Sequence, residues 1–340
     1  MVFSITGVGM PLTAFTGQRV AMPDLLQPKS IQLDDDQIYI TEQTLVHIYR
    51  KTDCHLLKSF GKPGEGPQEF KAKSVRPIII GIKPDMLVVY SIGKTSYYKK
   101  DGTFIKEKRG IGTKTLYELG DNYLAAEIVK GDDSRYEIVY HLYNSRYDKI
   151  KEMLRRFCPI QFDKKEWYFF VQMSLTRFYG DCFYLANGND FEINAFNFVG
   201  DNVATIKKNY RREKVTDKHI KAAHEWFQTD SPDKRLYDRF KSWFRFPEYF
   251  PAIKNFRVLD NHIYVQTFKR KNNLAEFALF TRKGKYIKTL YLPVTPKNIT
   301  EDYPYTFKDG KFYHLVDDPE KEEWSLYIMP LTETNKRPVP

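Results

Sequence analysis

Two kinds of turn alternate along this chain from Ser30 onward, and any fold must accommodate both. The first kind opens an aromatic-rich strand, as in Asp36-Gln37-Ile38-Tyr39-Ile40, Gly180-Asp181-Cys182-Phe183-Tyr184, Asp260-Asn261-His262-Ile263-Tyr264 and Asp309-Gly310-Lys311-Phe312-Tyr313. Asp121-Asn122-Tyr123-Leu124 and the weaker Lys83-Pro84-Asp85-Met86-Leu87 bring that set to six. The second kind joins two further strands through a polar turn, at Thr52-Asp53-Cys54, Lys100-Asp101-Gly102, Asn144-Ser145-Arg146, Gly200-Asp201-Asn202 and Lys283-Gly284-Lys285. Asp-Gly and Gly-Asp between apolar residues favour hairpins, because glycine supplies the positive φ that a tight turn needs. One turn of each kind per unit gives a four-stranded antiparallel module. The second turns recur at separations of 48, 44 and 55 residues between Asp53, Asp101, Ser145 and Gly200, the length of a propeller blade.

The next interval, Gly200 to Gly284, is 84 residues and too long by about forty for a blade. The surplus falls where strand alternation stops. Between Tyr210 and Phe250 the spacing predicts a helix capped by Thr216 or Asp217, with Ile220, Ala223, Trp226 and Phe227 on one face, and a second helix over Pro232 to Phe244. Residues 211–250 are therefore read as a helical insertion between the fourth and fifth units of a single domain spanning 1–340. The sixth unit has three strands, near 305–307, 311–316 and 324–329, before a polar tail at 332–340. The stretch Pro11 to Val20 is expected to supply its fourth strand, since an open array would leave a long unpaired edge. Residues 1–10 are read either as the remnant of an export signal or as a first strand.

The crossover after the first unit, Phe60-Gly61-Lys62-Pro63-Gly64-Glu65-Gly66-Pro67-Gln68-Glu69-Phe70, cannot lie inside a helix or a central strand. Gly61 and Gly64 are free to take positive φ, Gly66 before Pro67 is kept out of the helical region, and Phe60 and Phe70 can anchor the loop ends in the core. The motif Gly61-x-x-Gly64-x-Gly66-Pro67-x-Glu69-Phe70 resembles the inter-blade crossover of NHL-type and TolB-like six-bladed β-propeller proteins of bacteria. The resemblance implies an all-β, six-bladed propeller and, weakly, export to the periplasm or cell surface. It carries no single biochemical role.

Composition narrows the partners. An aromatic fraction of 16% suits pleated strands, and an excess of 54 basic over 43 acidic residues favours anionic partners in general. The charge is spread through short clusters such as Lys207-Lys208, Arg211-Arg212, Arg155-Arg156 and Lys269-Arg270-Lys271, which argues against a nucleic-acid surface. No apolar run reaches the ~20 residues of a membrane span. Cys54, Cys158 and Cys182 lack Cys-x-x-Cys spacing. His219 and His224 stand five apart, where two imidazoles on one helical face need four, so no metal and no cofactor is expected of them. There is no Gly-x-Ser-x-Gly elbow and no Gly-Lys-Ser/Thr phosphate loop. Acidic pairs such as Asp132-Asp133 and Asp317-Asp318 read as turn residues.

Two functions remain. The first is a non-enzymatic, monomeric binding module for a protein, peptide or glycan. Its candidate contact residues are Trp226, Trp243, Tyr249, Lys207, Lys208, Arg211 and Arg212, an aromatic and basic group in and beside the insertion. The same rings could simply fasten the insertion to the propeller. The alternative is a lyase or lactonase with a metal gathered at the central channel, as in other six-bladed propellers. The two separate on whether the channel mouth collects His, Asp or Glu side chains around a metal-sized gap.

Overall fold

The computed structural model describes residues 17–73, 77–109, 116–173, 175–318 and 321–331. The segments 1–10 and 332–340, and most of the expected closing stretch, lie outside the described residues.

Among the described residues, six four-stranded antiparallel sheets follow one another. The first comprises Ser30–Leu33, Gln37–Thr41, Val46–Arg50 and Leu56–Phe60, and the second Ile79–Ile82, Met86–Ser91, Lys94–Lys99 and Phe104–Arg109. The third comprises Tyr117–Leu119, Asn122–Lys130, Tyr136–Tyr143 and Lys149–Phe157, and the fourth Thr176–Tyr179, Cys182–Ala186, Glu192–Asn197 and Asn202–Lys207. The fifth comprises Asn255–Leu259, His262–Lys271, Leu274–Thr281 and Tyr286–Leu292. The sixth takes Tyr305–Lys308, Lys311–Asp318 and Glu323–Pro330 from the end of the chain and Gln18–Met22 from its beginning.

Burial explains the composition of these strands. Middle strands are covered on both faces, so Cys182–Ala186 is buried throughout rather than alternating. Fourth strands face water, and Phe104–Arg109 (Phe-Ile-Lys-Glu-Lys-Arg) has no fully buried residue. Each sheet shares an apolar cluster with the next. Tyr39, Ile48, Phe70 and Leu87 join the first and second, and Val88, Tyr90 and Tyr97 pack with Tyr117 of the third. Leu124, Leu142, Phe183 and Phe196 join the third and fourth, Ile193, Ile206, Phe256 and Phe280 the fourth and fifth, and Tyr264, Phe277, Phe307 and Phe312 the fifth and sixth. Met22, Ile31, Ile38, Leu315 and Leu326 then join the sixth back to the first. This is a propeller-like, all-β arrangement.

The closing strand is Gln18–Met22, displaced from the expected Pro11–Val20. It runs antiparallel to the last strand, with Val20 opposite Leu326 and Met22 opposite Trp324. Met22 is fully buried, Arg19 Nε donates to Ser325 Oγ at 3.0 Å, and Trp324 Nε1 donates to the Leu26 carbonyl at 3.0 Å. The crossover behaves as its glycines suggest. Gly61 has φ +97°, and a Cβ there would stand 2.4 Å from the Thr44 carbonyl oxygen. Glu69 turns back to accept from the Gly66 N–H at 2.9 Å, Phe70 is fully buried, and Phe60 lies against Tyr98 at 4.3 Å.

The segment between the fourth and fifth sheets holds one true helix, Asp217–Thr229, capped at Thr216. The second expected helix, Pro232 to Phe244, is a correction. It breaks into a 3₁₀ turn Lys234–Leu236, a single α turn Tyr237–Phe240 and a 3₁₀ turn Lys241–Trp243, and Phe244 is already in a strand. The reason lies in a seventh, small sheet. Ile160–Gln161 and Glu166–Tyr168, from the link between the third and fourth sheets, pair antiparallel with each other, and Glu166–Tyr168 pairs in parallel with Phe244–Arg245, Trp167 opposite Phe244. Extending Phe244 into that sheet ends the helical run.

Candidate functional site

The segment between the fourth and fifth sheets, expected as the insertion, stands on a narrow neck, where residues 213–215 and 248–250 run antiparallel. Val215 N–H donates to the Glu248 carbonyl at 2.9 Å and Phe250 N–H to that of Glu213 at 2.9 Å. The segment's rings join those of the third-to-fourth link in one cluster, in which Phe169 and Phe170 of the link and Phe227, Phe244 and Phe250 of the segment are buried. Phe250 stacks on Phe268 of the fifth sheet, 4.5 Å between centroids and 16° between planes. Ordinary docking thus accounts for Phe227, Phe244 and Phe250.

The neck also sets the candidate contact residues. Tyr249, between the backbone ties of Glu248 and Phe250, is exposed, and the Arg212 guanidinium lies 5.5 Å from its centroid. Both line a cleft of about 460 Å³ between the insertion and the third-to-fourth link, with Arg135, Phe157, Lys164 and Tyr168 on its other walls. Phe157 and Tyr168 meet edge to face at 4.9 Å. Burial, then Glu166, raises the Tyr168 pKa, and its hydroxyl donates to Glu166 Oε2 at 3.2 Å. Glu166 is paired with Arg245 at 3.2 Å, which leaves the cleft basic.

The other expected contact residues lie elsewhere. Trp226 is half-buried in the ring cluster, 6.2 Å from Phe169 and 6.0 Å from Phe227. Trp243 is half-buried and edge-on to Phe240 at 4.9 Å. Lys207 pairs with Glu192 at 2.9 Å, Lys208 sits 4.4 Å from the Tyr286 centroid, and Arg211 is exposed. His219 belongs to the helix start, its Nδ1 accepting the Thr216 N–H at 3.1 Å, and His224 Nδ1 meets the Tyr237 hydroxyl at 3.1 Å. Burial, then Lys218, lowers the His219 pKa, which keeps that nitrogen an acceptor.

A second pocket, about 300 Å³, opens where the first strands of five sheets, or the residues just ahead of them, converge. Sequence reasoning missed its lining, because it takes one or two residues from each of several distant strands: Lys29, Arg177, Lys254, Arg257 and Lys297, with Glu301 and Asp302. Asp302 accepts from Lys254 Nζ at 2.8 Å and from Gln266 Nε2 at 2.8 Å, and Glu301 stands 3.8 Å from Lys297. The alternative expectation required free carboxylates or imidazoles here. Both carboxylates instead face ammonium groups inside a cationic lining, a donor set that repels a metal ion. Among the described residues no group of three or more His, Cys, Asp or Glu side chains is placed to hold one. No described helix is long and apolar enough to cross a membrane.

No protein-family model matches the sequence, and no curated protein does. Among solved structures, the chain overlaps a candidate exported protein of Bacteroides fragilis NCTC 9343 with a TM-score of 0.54 at 14% identity, covering 93% of this chain and 94% of that one. It overlaps a member of the DUF4221 family from Bacteroides vulgatus ATCC 8482 with a TM-score of 0.52 at 11% identity, over 91% and 95% of the two chains. A streptogramin B lyase overlaps at a TM-score of 0.42 and 10% identity, over 92% and 97%. The first two likenesses run the length of the chain and show a shared propeller-like fold; function is not carried by any of them.

Proposed function

We propose that this protein is a six-bladed β-propeller, a single domain with a helical insertion between its fourth and fifth blades, that acts as a monomeric binding module. Six four-stranded sheets coupled in sequence and back to the first support the blade count. The likeness to a candidate exported protein supports a location outside the cytoplasm.

The partner site of this reading is the basic cleft beneath the insertion. The observation that carries it is the exposed Tyr249 ring held beside Arg212 at the neck, facing the Phe157 and Tyr168 rings across the cleft. Aromatic faces flanked by guanidinium and ammonium donors suit a peptide or glycan bearing acidic groups, or such a segment of a protein. Trp226 and Trp243, by contrast, serve packing in this reading. Binding to arrayed acidic peptides and uronic-acid glycans tests it. Tyr249→Ala and Arg212→Ala should each weaken capture at least tenfold while changing stability by less than ~1 kcal/mol, as exposed positions do. Retained capture by both variants would refute the site.

A further inference from the structure

The central pocket contains more positive charge than its carboxylates can balance. Lys254 is paired with Asp302 at 2.7 Å and Lys297 faces Glu301, which leaves Arg177, Arg257 and Lys29 with no carboxylate at ion-pairing distance among the described residues. Arg177 is oriented entirely by neutral acceptors. Its Nε donates to the Phe256 carbonyl at 2.8 Å, Nη1 to the Thr176 carbonyl at 2.6 Å and Nη2 to Asn255 Oδ1 at 2.5 Å. Three of its five N–H donors are thus used to fix the guanidinium plane, and none is neutralised.

Arg257 is more exceptional. Its Nε is buried and has no hydrogen-bond partner among the described residues. The guanidinium rests over the Tyr305 ring at 5.5 Å. That ring is held in turn, because the Tyr305 hydroxyl donates to Gln266 Oε1 at 2.7 Å and Gln266 donates to Asp302. A chain of side chains therefore holds one guanidinium in place beside another. Burial, then the Arg257 charge, lowers the Arg177 pKa to about 9, which still leaves Arg177 cationic at neutral pH. Two fixed, mutually repelling guanidiniums with unused donors are the usual receptor for an oxyanion, which two planar forks can grip through several oxygens at once.

We infer that the central pocket is an anion site that binds a small ligand carrying at least two negative charges on phosphate or carboxylate oxygens, gripped by Arg177 and Arg257 with Lys29 at the entrance. Its volume is at the small end of ligand pockets, roughly 300–1,000 Å³, which suits a compact metabolite rather than a polymer. The site is separate from the cleft beneath the insertion, so either can stand without the other.

Calorimetric titration of the full chain with inorganic pyrophosphate and with citrate tests the inference and tells the two oxyanion sources apart. At least one should bind saturably with a Kd below 1 mM, on the order of a weak specific site. Arg257→Gln and Lys29→Gln should each weaken that binding at least tenfold, and Arg257→Gln should leave the melting temperature without ligand unchanged or higher, because a repulsion is removed. The charge-matched surface variant Lys283→Gln, at an exposed turn, should bind as the wild type does. Absence of saturable binding by both probes overturns the site. So does equal weakening by Lys283→Gln, which would assign the effect to general surface charge.

Discussion

Removing the strand Gln18–Met22 should cost this protein most of its stability. The strand contributes five paired positions to the sixth sheet, from Gln18 opposite Ile328 to Met22 opposite Trp324. Each net backbone hydrogen bond contributes about 0.5–1.5 kcal/mol, and uncovering a fully buried Met costs about 2–3 kcal/mol. Leu326, fully buried beneath the strand, and Trp324 would gain a wet edge as well. The total, roughly 5–10 kcal/mol, is comparable with the entire net stability of a domain, about 5–15 kcal/mol. The assay is urea unfolding of two truncations, one ending at residue 16 and one at Met22, so that their difference isolates the strand. We expect the shorter truncation to unfold cooperatively near the wild-type midpoint and the longer one to lose its cooperative transition. A synthetic peptide of residues 17–22, added in excess, should restore it. Equal midpoints for both truncations would show that the sixth sheet does not depend on the strand and would sink the argument for closure.

Other perturbations reach different parts of the molecule. Gly61→Ala should destabilise by about 1–3 kcal/mol in chemical denaturation, since a Cβ at φ +97° meets a backbone oxygen that cannot step aside; a neutral result would mean the crossover is not rigid. His314 is buried with Nδ1 on the Pro304 carbonyl at 3.1 Å and Nε2 accepting the Thr295 N–H at 3.0 Å, and burial pushes its pKa down to about 4. Its folded pKa lies below the unfolded value of about 6.5, so its contribution is intact above pH 6.5 and fades as pH falls towards 4, by on the order of 3 kcal/mol. Stability measured against pH should show that slope, and His314→Gln should flatten it. Trp226→Ala should lower stability by about 2–3 kcal/mol without changing capture by the cleft, whereas the reverse pattern would return Trp226 to the partner surface.

The repeating frame was readable because its turns are chemically local. Asp260 and Asn261 take φ +48° and +59°, and Asp309 and Gly310 +51° and +67°, conformations that Asp, Asn and Gly adopt at little cost. The helix beginning after Thr216 was readable for the same reason, its cap and apolar face lying within a few turns. What escaped depends on distance. Trp167 and Phe244, 77 residues apart, pair in strands of three and two residues, too short for any periodicity to register. Arg177 and Arg257 each occupy a single strand position and look like edge charges until the strands converge. The basic runs that stood out divide on the structure: Lys207 pairs with Glu192 and Lys208 lies over Tyr286, whereas Arg212 reaches the cleft beside Tyr249.

Closure by the first described strand sets a schedule for folding on the ribosome. Arg19 and its hydrogen-bond partner Ser325 are 306 residues apart in sequence. At about 5–20 residues per second, roughly 15–60 s separate their synthesis. During that interval Met22, made early and destined for full burial, has no partner to cover it. Earlier sheets can form and stack as they emerge, but the sixth sheet waits for Glu323–Pro330, so its completion follows synthesis of the five sheets before it. The same strand that completes the native molecule is therefore, for up to about a minute, an unpaired strand available to any neighbour, and crowding of nascent chains favours exchange of that strand between two copies.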